Sequence, residues 1–145
     1  MLMIIRIVFL FLFVNIGVSY GQTYPIAGTY KLETGDPATH NHVYTLILEE
    51  NGRFNFHSHS DNKKGIPQIV DLYGRGTWTA KGKLITLKTD KTQDLNDTFS
   101  LDLDGSKARF VSKHPRDTSD RIVKTRLQFY DSDIFWVKTK ALFKQ

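Results

Sequence analysis

The sequence of 145 residues contains no cysteine, and its two methionines both stand within the first three positions. Without cysteine, disulfide bonds, thiolate catalysis, cysteine-ligated zinc and a lipid-modified N-terminal cysteine are excluded. Beyond the N-terminal apolar run, no stretch of a dozen residues carries apolar side chains at helical spacing. The fold must therefore be held by packing and backbone hydrogen bonds, and helices are not expected in it.

Charge is scarce at the N-terminus, where Arg6 is the only charged residue among the first thirty. Residues 7–14 are all apolar, and a small-x-small pattern follows at 19–21. This order is typical of a secretory signal peptide, whereas a transmembrane span needs about 20 apolar residues. We expect residues 1–21 to be a cleaved signal peptide. Residues 22–145 would then form one domain, periplasmic or secreted, without a transmembrane segment.

The basic residues are concentrated in the last part of the chain. The net charge is +5, and residues 107–145 hold ten Lys and Arg against four Asp and Glu. Such a balance can indicate nucleic acid or an anionic surface. These basic side chains alternate with other residues instead of forming a block, so we interpret them as a solvated strand face. Nucleic acid is not an expected partner.

Short alternating segments separated by Asn-Gly, Lys-Gly and Asp-Gly turns predict an all-β domain. We expect a single antiparallel meander β-barrel of about eight to ten strands. In the best-defined hairpin, strand 43–49 pairs with strand 53–59. A three-residue loop with Gly52 in the left-handed conformation places Leu48 opposite Phe54, with both side chains inside.

Three further hairpins follow the same alternation. They are 73–80 with 83–88 (Trp78 opposite Ile85), 97–103 with 106–112 (Phe99 opposite Phe110), and 121–130 with 134–139. A leading strand is expected over 26–33, and two long polar connections over 61–71 and 112–120.

Motifs in the first half of the domain resemble those of lipocalin-like barrels. Gly28-Thr29-Tyr30 is similar to their Gly-x-Trp start, and it is followed by Asn51-Gly52-x-Phe54-x-Phe56 and Gly76-Thr77-Trp78. Over residues 26–88 this order resembles the small exported lipocalin-like and NlpE-like barrel domains of bacteria. The resemblance implies an antiparallel barrel, often with a ligand cavity, but no shared chemistry. The chain lacks the cysteine pair and the lipid-bearing cysteine of NlpE-like domains.

The inward-facing residues include many large aromatic side chains, which allow two interpretations. One is an apolar cavity near an open end, with Tyr30, Tyr44, Phe56 and Trp78 as ligand-binding residues and 61–71 as its lid. The other is a filled core. The first predicts an exported, non-enzymatic binding protein for a small apolar or amphipathic ligand.

If the core is filled, the alternative function is a cell-envelope protein-interaction module with no small-molecule ligand. Four apolar residues that face outward would supply the contact surface for a protein partner: Ile47, Leu84, Val111 and Ile122.

Two His-x-His motifs are candidate metal ligands, because imidazoles two apart on a strand share a face. The hairpin register points His57 and His59 outward, and it points His40 and His42 inward. His57 and His59, with Asp61, are therefore the possible surface metal site. The alternative, which the sequence alone favours, is that they are ordinary polar residues on an exposed strand.

Catalytic arrangements are not evident. Ser58 and Ser60 stand beside histidines, but neighbours on a strand point to opposite faces, and a triad needs a base oriented by an acid. Asp102 and Asp104 flank a turn, where Asp is a common turn former. We expect no enzymatic activity and no cofactor.

The signal peptide leads to a first prediction. Mass spectrometry of the exported protein should find Gln22 at its N-terminus, because cleavage follows the small residue at position 21. An intact chain beginning at Met1 and embedded in the membrane would contradict it.

Overall fold

A computed structural model describes residues 23–145, so the expected signal peptide lies outside the described residues. The described chain forms a closed barrel of eight antiparallel strands in sequence order, which confirms the fold class. The strands are β1 (Gly28–Asp36), β2 (His40–Leu48), β3 (Arg53–Asn62), β4 (Ile69–Lys81), β5 (Leu84–Lys88), β6 (Lys107–Val111), β7 (Arg126–Asp131) and β8 (Ala141–Lys144). No helix within residues 23–145 is long and apolar enough to span a membrane.

The barrel has a Gly28 end and an Asp36 end, defined by the first and last residues of β1. The Gly28 end carries the turns 49–52 and 82–83 and the long connection 112–125. The Asp36 end carries the other connections, which are 37–39, 63–68, 89–106 and 132–140.

The register of β2 and β3 is confirmed. Leu48 lies opposite Phe54, Leu46 lies opposite Phe56, and Gly52 has a φ of +86°. Leu48 and Phe54 are both buried, as the apolar pattern requires. A slip by one residue would turn each of these side chains to solvent.

The register predicted for β4 and β5 is wrong by two residues. Trp78 lies opposite Leu87, not Ile85, because the turn consists of Gly82 and Lys83. Gly82 has a φ of +62° at the first turn position, where a type II′ turn favours glycine.

The predicted hairpin of 97–103 with 106–112 is also wrong. β6 pairs with β5 on one side and β7 on the other, so Phe110 lies opposite Leu127. Residues 97–103 form no strand, because Asn96 Oδ1 accepts hydrogen bonds from the backbone N–H groups of Thr98 and Phe99, at 2.9 and 2.8 Å. A side chain that satisfies neighbouring backbone groups competes with a β-ladder.

The return strand predicted over 134–139 is a pair of turns instead. The N–H of Val137 donates to the carbonyl of Ile134 (2.9 Å), and that of Lys140 donates to Val137 (3.0 Å). The strand that follows, β8, pairs with both β7 and β1 and closes the barrel. Its partner β7 begins only at Arg126, five residues later than expected.

Large side chains fill the interior. Those exposed by less than 2% include Tyr30, Leu46, Leu48, Phe54, Ile85, Leu87, Phe110, Leu127 and Leu142. Backbone packing is also tight at Gly76, where an added Cβ would overlap the Lys88 carbonyl oxygen. The packing of the described residues therefore favours a filled core along most of the barrel.

The β2–β3 turn gives a second prediction. Gly52→Val should lower the free energy of unfolding by about 1–3 kcal/mol, because a β-branched residue resists positive φ. Gly52→Asn is the matched control and should cost less, because Asn tolerates that conformation. Urea unfolding measures both variants, and equal stability of the valine variant and the wild type would contradict the turn geometry.

Candidate functional site

The four ligand-binding residues predicted from the sequence do not lie in one place. Tyr44 and Phe56 lie together against Trp136, with ring centroids 5.7 and 6.2 Å from the Trp136 ring. We call Tyr44, Phe56 and Trp136 the aromatic cluster. Tyr30 and Trp78 lie elsewhere in the barrel.

Tyr30 lies in the packed interior, where its hydroxyl donates a hydrogen bond to the Ile26 carbonyl. Burial raises the pKa of Tyr30 to about 12, because the charged phenolate is disfavoured away from water. Trp78 lies near the Gly28 end and donates from Nε1 to the Glu49 carbonyl at 2.8 Å. It borders a cleft of about 350 Å³ that residues 23–27 and Glu50 also line.

The aromatic cluster lies where the connection 132–140 crosses the Asp36 end of the barrel. Tyr44 and Phe56 are buried, whereas Trp136 is only partly buried. The Lys140 ammonium lies 5.0 Å from the centre of the Tyr44 ring, within the range of a cation–π contact. The cluster thus combines a partly exposed apolar surface with one cation.

Polar side chains continue from the cluster along β2. The Tyr44 hydroxyl lies 3.3 Å from His42 Nδ1, and His40 Nε2 lies 3.0 Å from the Ser60 hydroxyl. Burial lowers the pKa of His42, and the neighbouring His40 and Lys140 lower it further. Burial also raises the pKa of Tyr44. The neutral forms of His42 and Tyr44 are therefore favoured beside the cluster.

His57 and His59 meet a carboxylate on the outer face of the barrel. His57 Nε2 and His59 Nδ1 each lie 2.7 Å from Oδ1 of Asp71. Hydrogen bonds from His59 and His57 lower the pKa of the Asp71 carboxyl. The three side chains are between 33% and 37% exposed.

The carboxylate expected beside these histidines was Asp61, and this expectation is wrong. Asp61 binds Lys63 and Gln68 instead, at 2.6 and 2.9 Å. The β3–β4 strands extend into both ends of the predicted 61–71 connection, which is reduced to 63–68, and the ladder places Asp71 directly opposite His59. A residue opposite on the next strand is nearer than one two positions along the same strand.

Sequence reasoning assigned no binding role to Trp136 or Asp71. The sequence pattern places Trp136 in a strand and Asp71 at the end of a loop. The sequence feature that indicates the position of Trp136 is Ser132. Its hydroxyl accepts a hydrogen bond from the Ile134 N–H at 3.2 Å. Such a bond favours a turn after β7.

The chain matches no protein-family model, and no curated protein or solved structure is significantly similar to it. The resemblance to lipocalin-like and NlpE-like domains therefore stays a prediction. A barrel fold alone does not define a function, so the function depends on the side chains that this barrel brings together.

The burial of Tyr30 gives a third prediction. In an alkaline titration followed by tyrosinate absorbance, one tyrosine of the folded protein should ionise only near pH 12. A pKa raised above the unfolded value of about 10 adds stability below that pH, and this stability is lost as the pH rises toward 12. Tyr30→Phe should remove this last step. A titration in which Tyr30→Phe leaves the last step unchanged would contradict the assignment.

Proposed function

We propose that the mature protein is an exported, non-enzymatic binding protein that holds a small amphipathic ligand against the aromatic cluster. The observation that carries this proposal is the position of Trp136. Its partly exposed ring packs on Tyr44 and Phe56, and Lys140 lies over Tyr44. Ligand sites typically combine such an apolar surface with a few well-placed polar groups.

The filled interior favours a site at the barrel end over one in a deep cavity. Tyr30, Phe54, Phe110 and Phe129 occupy the barrel and are each exposed by 2% or less. A narrow barrel of eight strands can be filled by its own side chains. A ligand would then bind where the inward-facing residues change from aliphatic to aromatic and polar, between Leu46 and His40 on β2.

The chemistry of the cluster favours a ligand with an apolar body and an anionic head. The aromatic rings offer apolar contact, while Lys140 offers a positive charge and His42 a hydrogen-bonding nitrogen. An exposed ion pair contributes up to about 1 kcal/mol, whereas an aromatic side chain dominates the energy of many interfaces. The ring contact should therefore set the affinity, and Lys140 should set the preference for the head group.

A protein partner at the same end is the second candidate function. The connections 63–68 and 132–140 both lie at the Asp36 end, and they expose Ile66 and Phe135 by more than 80%. Ile69 and Val70 at the start of β4 are also exposed there. Apolar side chains exposed at one end of a fold favour a protein contact there.

The two tryptophans make a site-resolved test possible, which is our fourth prediction. Trp78→Phe leaves Trp136 as the only tryptophan of the mature chain, and Trp136→Phe leaves Trp78. On titration with the anionic apolar probe 1-anilinonaphthalene-8-sulfonate, the Trp78→Phe protein should show saturable quenching of its tryptophan fluorescence. The Trp136→Phe protein should bind the probe more weakly, because an apolar ring is replaced by a smaller one.

Lys140→Gln is the matched variant for the head group. It should weaken probe binding by about two- to fivefold, the equivalent of one exposed ion pair. No saturable binding by the wild type would refute the ligand proposal and leave the protein-interaction module. Quenching of Trp78 in place of Trp136 would move the site to the cleft at the Gly28 end.

A further inference from the structure

We propose that His57, His59 and Asp71 form a binding site for a divalent transition-metal ion on the outer face of β3 and β4. This inference is independent of the proposed ligand site, since it uses none of the residues of the aromatic cluster. Among residues 23–145 these three side chains form the one group of three or more His, Asp or Glu residues whose possible ligand atoms converge.

The three candidate ligand atoms are already close to coordination geometry. One nitrogen of each imidazole approaches the same Asp71 oxygen at 2.7 Å, and the ligand atoms all lie within 4.8 Å of one another. Tetrahedral zinc with bonds of about 2.0–2.1 Å separates its ligand atoms by about 3.3 Å. Each nitrogen–oxygen distance would therefore have to widen by about 0.6 Å for an ion to enter, and the partial exposure of the three side chains leaves room for that shift.

The strand register builds this group and restrains it. His59 lies opposite Asp71, and His57 lies two residues along β3 on the same face. The His57 ring also stacks on Tyr73, with centroids 4.5 Å apart and planes 4° from parallel. This stacking limits the rotation of the imidazole and lowers the conformational entropy that binding would cost.

The donor set indicates which ions should bind. Two imidazole nitrogens and one carboxylate oxygen suit zinc, nickel and copper, whereas magnesium and calcium prefer oxygen ligands alone. The ionised Asp71 carboxylate offsets one of the two charges of the cation. Three protein ligands on an exposed face leave a coordination position for water.

The second His-x-His motif is a natural control within the same chain. The rings of His40 and His42 lie 4.3 Å apart, nearer than those of His57 and His59 at 6.1 Å. However, these rings contact Ser60 and Tyr44, not a carboxylate. If two nearby imidazoles were sufficient, both pairs would bind metal. If the carboxylate is required, only His57 and His59 would bind metal.

Calorimetric titration of zinc chloride into the mature protein without a polyhistidine tag tests the proposal, which is our fifth prediction. The wild type should bind one zinc ion, and its melting temperature should rise with zinc because the ion binds the folded state. His57→Ala with His59→Ala should weaken binding at least about tenfold, and Asp71→Asn should weaken it similarly. His40→Ala with His42→Ala should leave the affinity unchanged.

Metal-free circular dichroism and unfolding of each variant check that the fold is retained. His57→Gln with His59→Gln is the second variant if the alanine pair is unstable. Absence of stoichiometric zinc binding by the wild type would overturn the proposal. Binding that survives the loss of His57 and His59, or that requires His40 and His42, would also overturn it. The outcomes for His57, His59 and Asp71 do not bear on the binding of the fluorescent probe, which is tested at Trp136 and Lys140.

Discussion

Closure of the barrel depends on one strand of four residues. β8 lies between β7 and β1, and its ladder is extended by the hydrogen bond from the Gln145 N–H to the Thr29 carbonyl at 2.9 Å. Without β8, both neighbouring strands would present free edges, which favour association between chains. Tyr30 and Leu127, which lie opposite Lys144 and Leu142 of β8, would also lose cover, although each is almost fully buried in the closed barrel. Closure therefore governs both the solubility of the sheet and the packing of its core.

The same closure positions the aromatic cluster. Because β8 begins only at Ala141, the chain between β7 and β8 must cross the Asp36 end, and it does so in two successive turns. Ile134 and Val137, three residues apart, pack on the core, while the ring of Trp136 packs against Tyr44 and Phe56. The run of four apolar residues over 134–137 is equally compatible with a strand, and the Ser132 hydroxyl helps to favour the turn.

Sequence patterning predicts the face of a residue better than its partner. A slip of one residue between Leu48 and Phe54 would expose both, so this register could be predicted. A slip of two residues between β4 and β5 keeps Trp78 and Leu87 on their faces, and the pattern cannot detect it. The candidate sites follow the same rule. The pattern assigns His57 and His59 to the outer face, but their partner Asp71 depends on the β3–β4 register, which the pattern does not define.

Strand β3 serves both candidate sites, yet its alternation separates them. Phe56 and Ser58 face the interior, whereas His57 and His59 face outward. A metal ion held by β3 and β4 would join two strands that are already paired over nine residues, so it would add little to closure. The aromatic cluster, by contrast, joins β2 and β3 to the connection that precedes β8. Ligand binding there should therefore make local opening of β8 less favourable. Metal binding should leave the local opening of β8 unaffected, because the metal site connects β3 and β4 only.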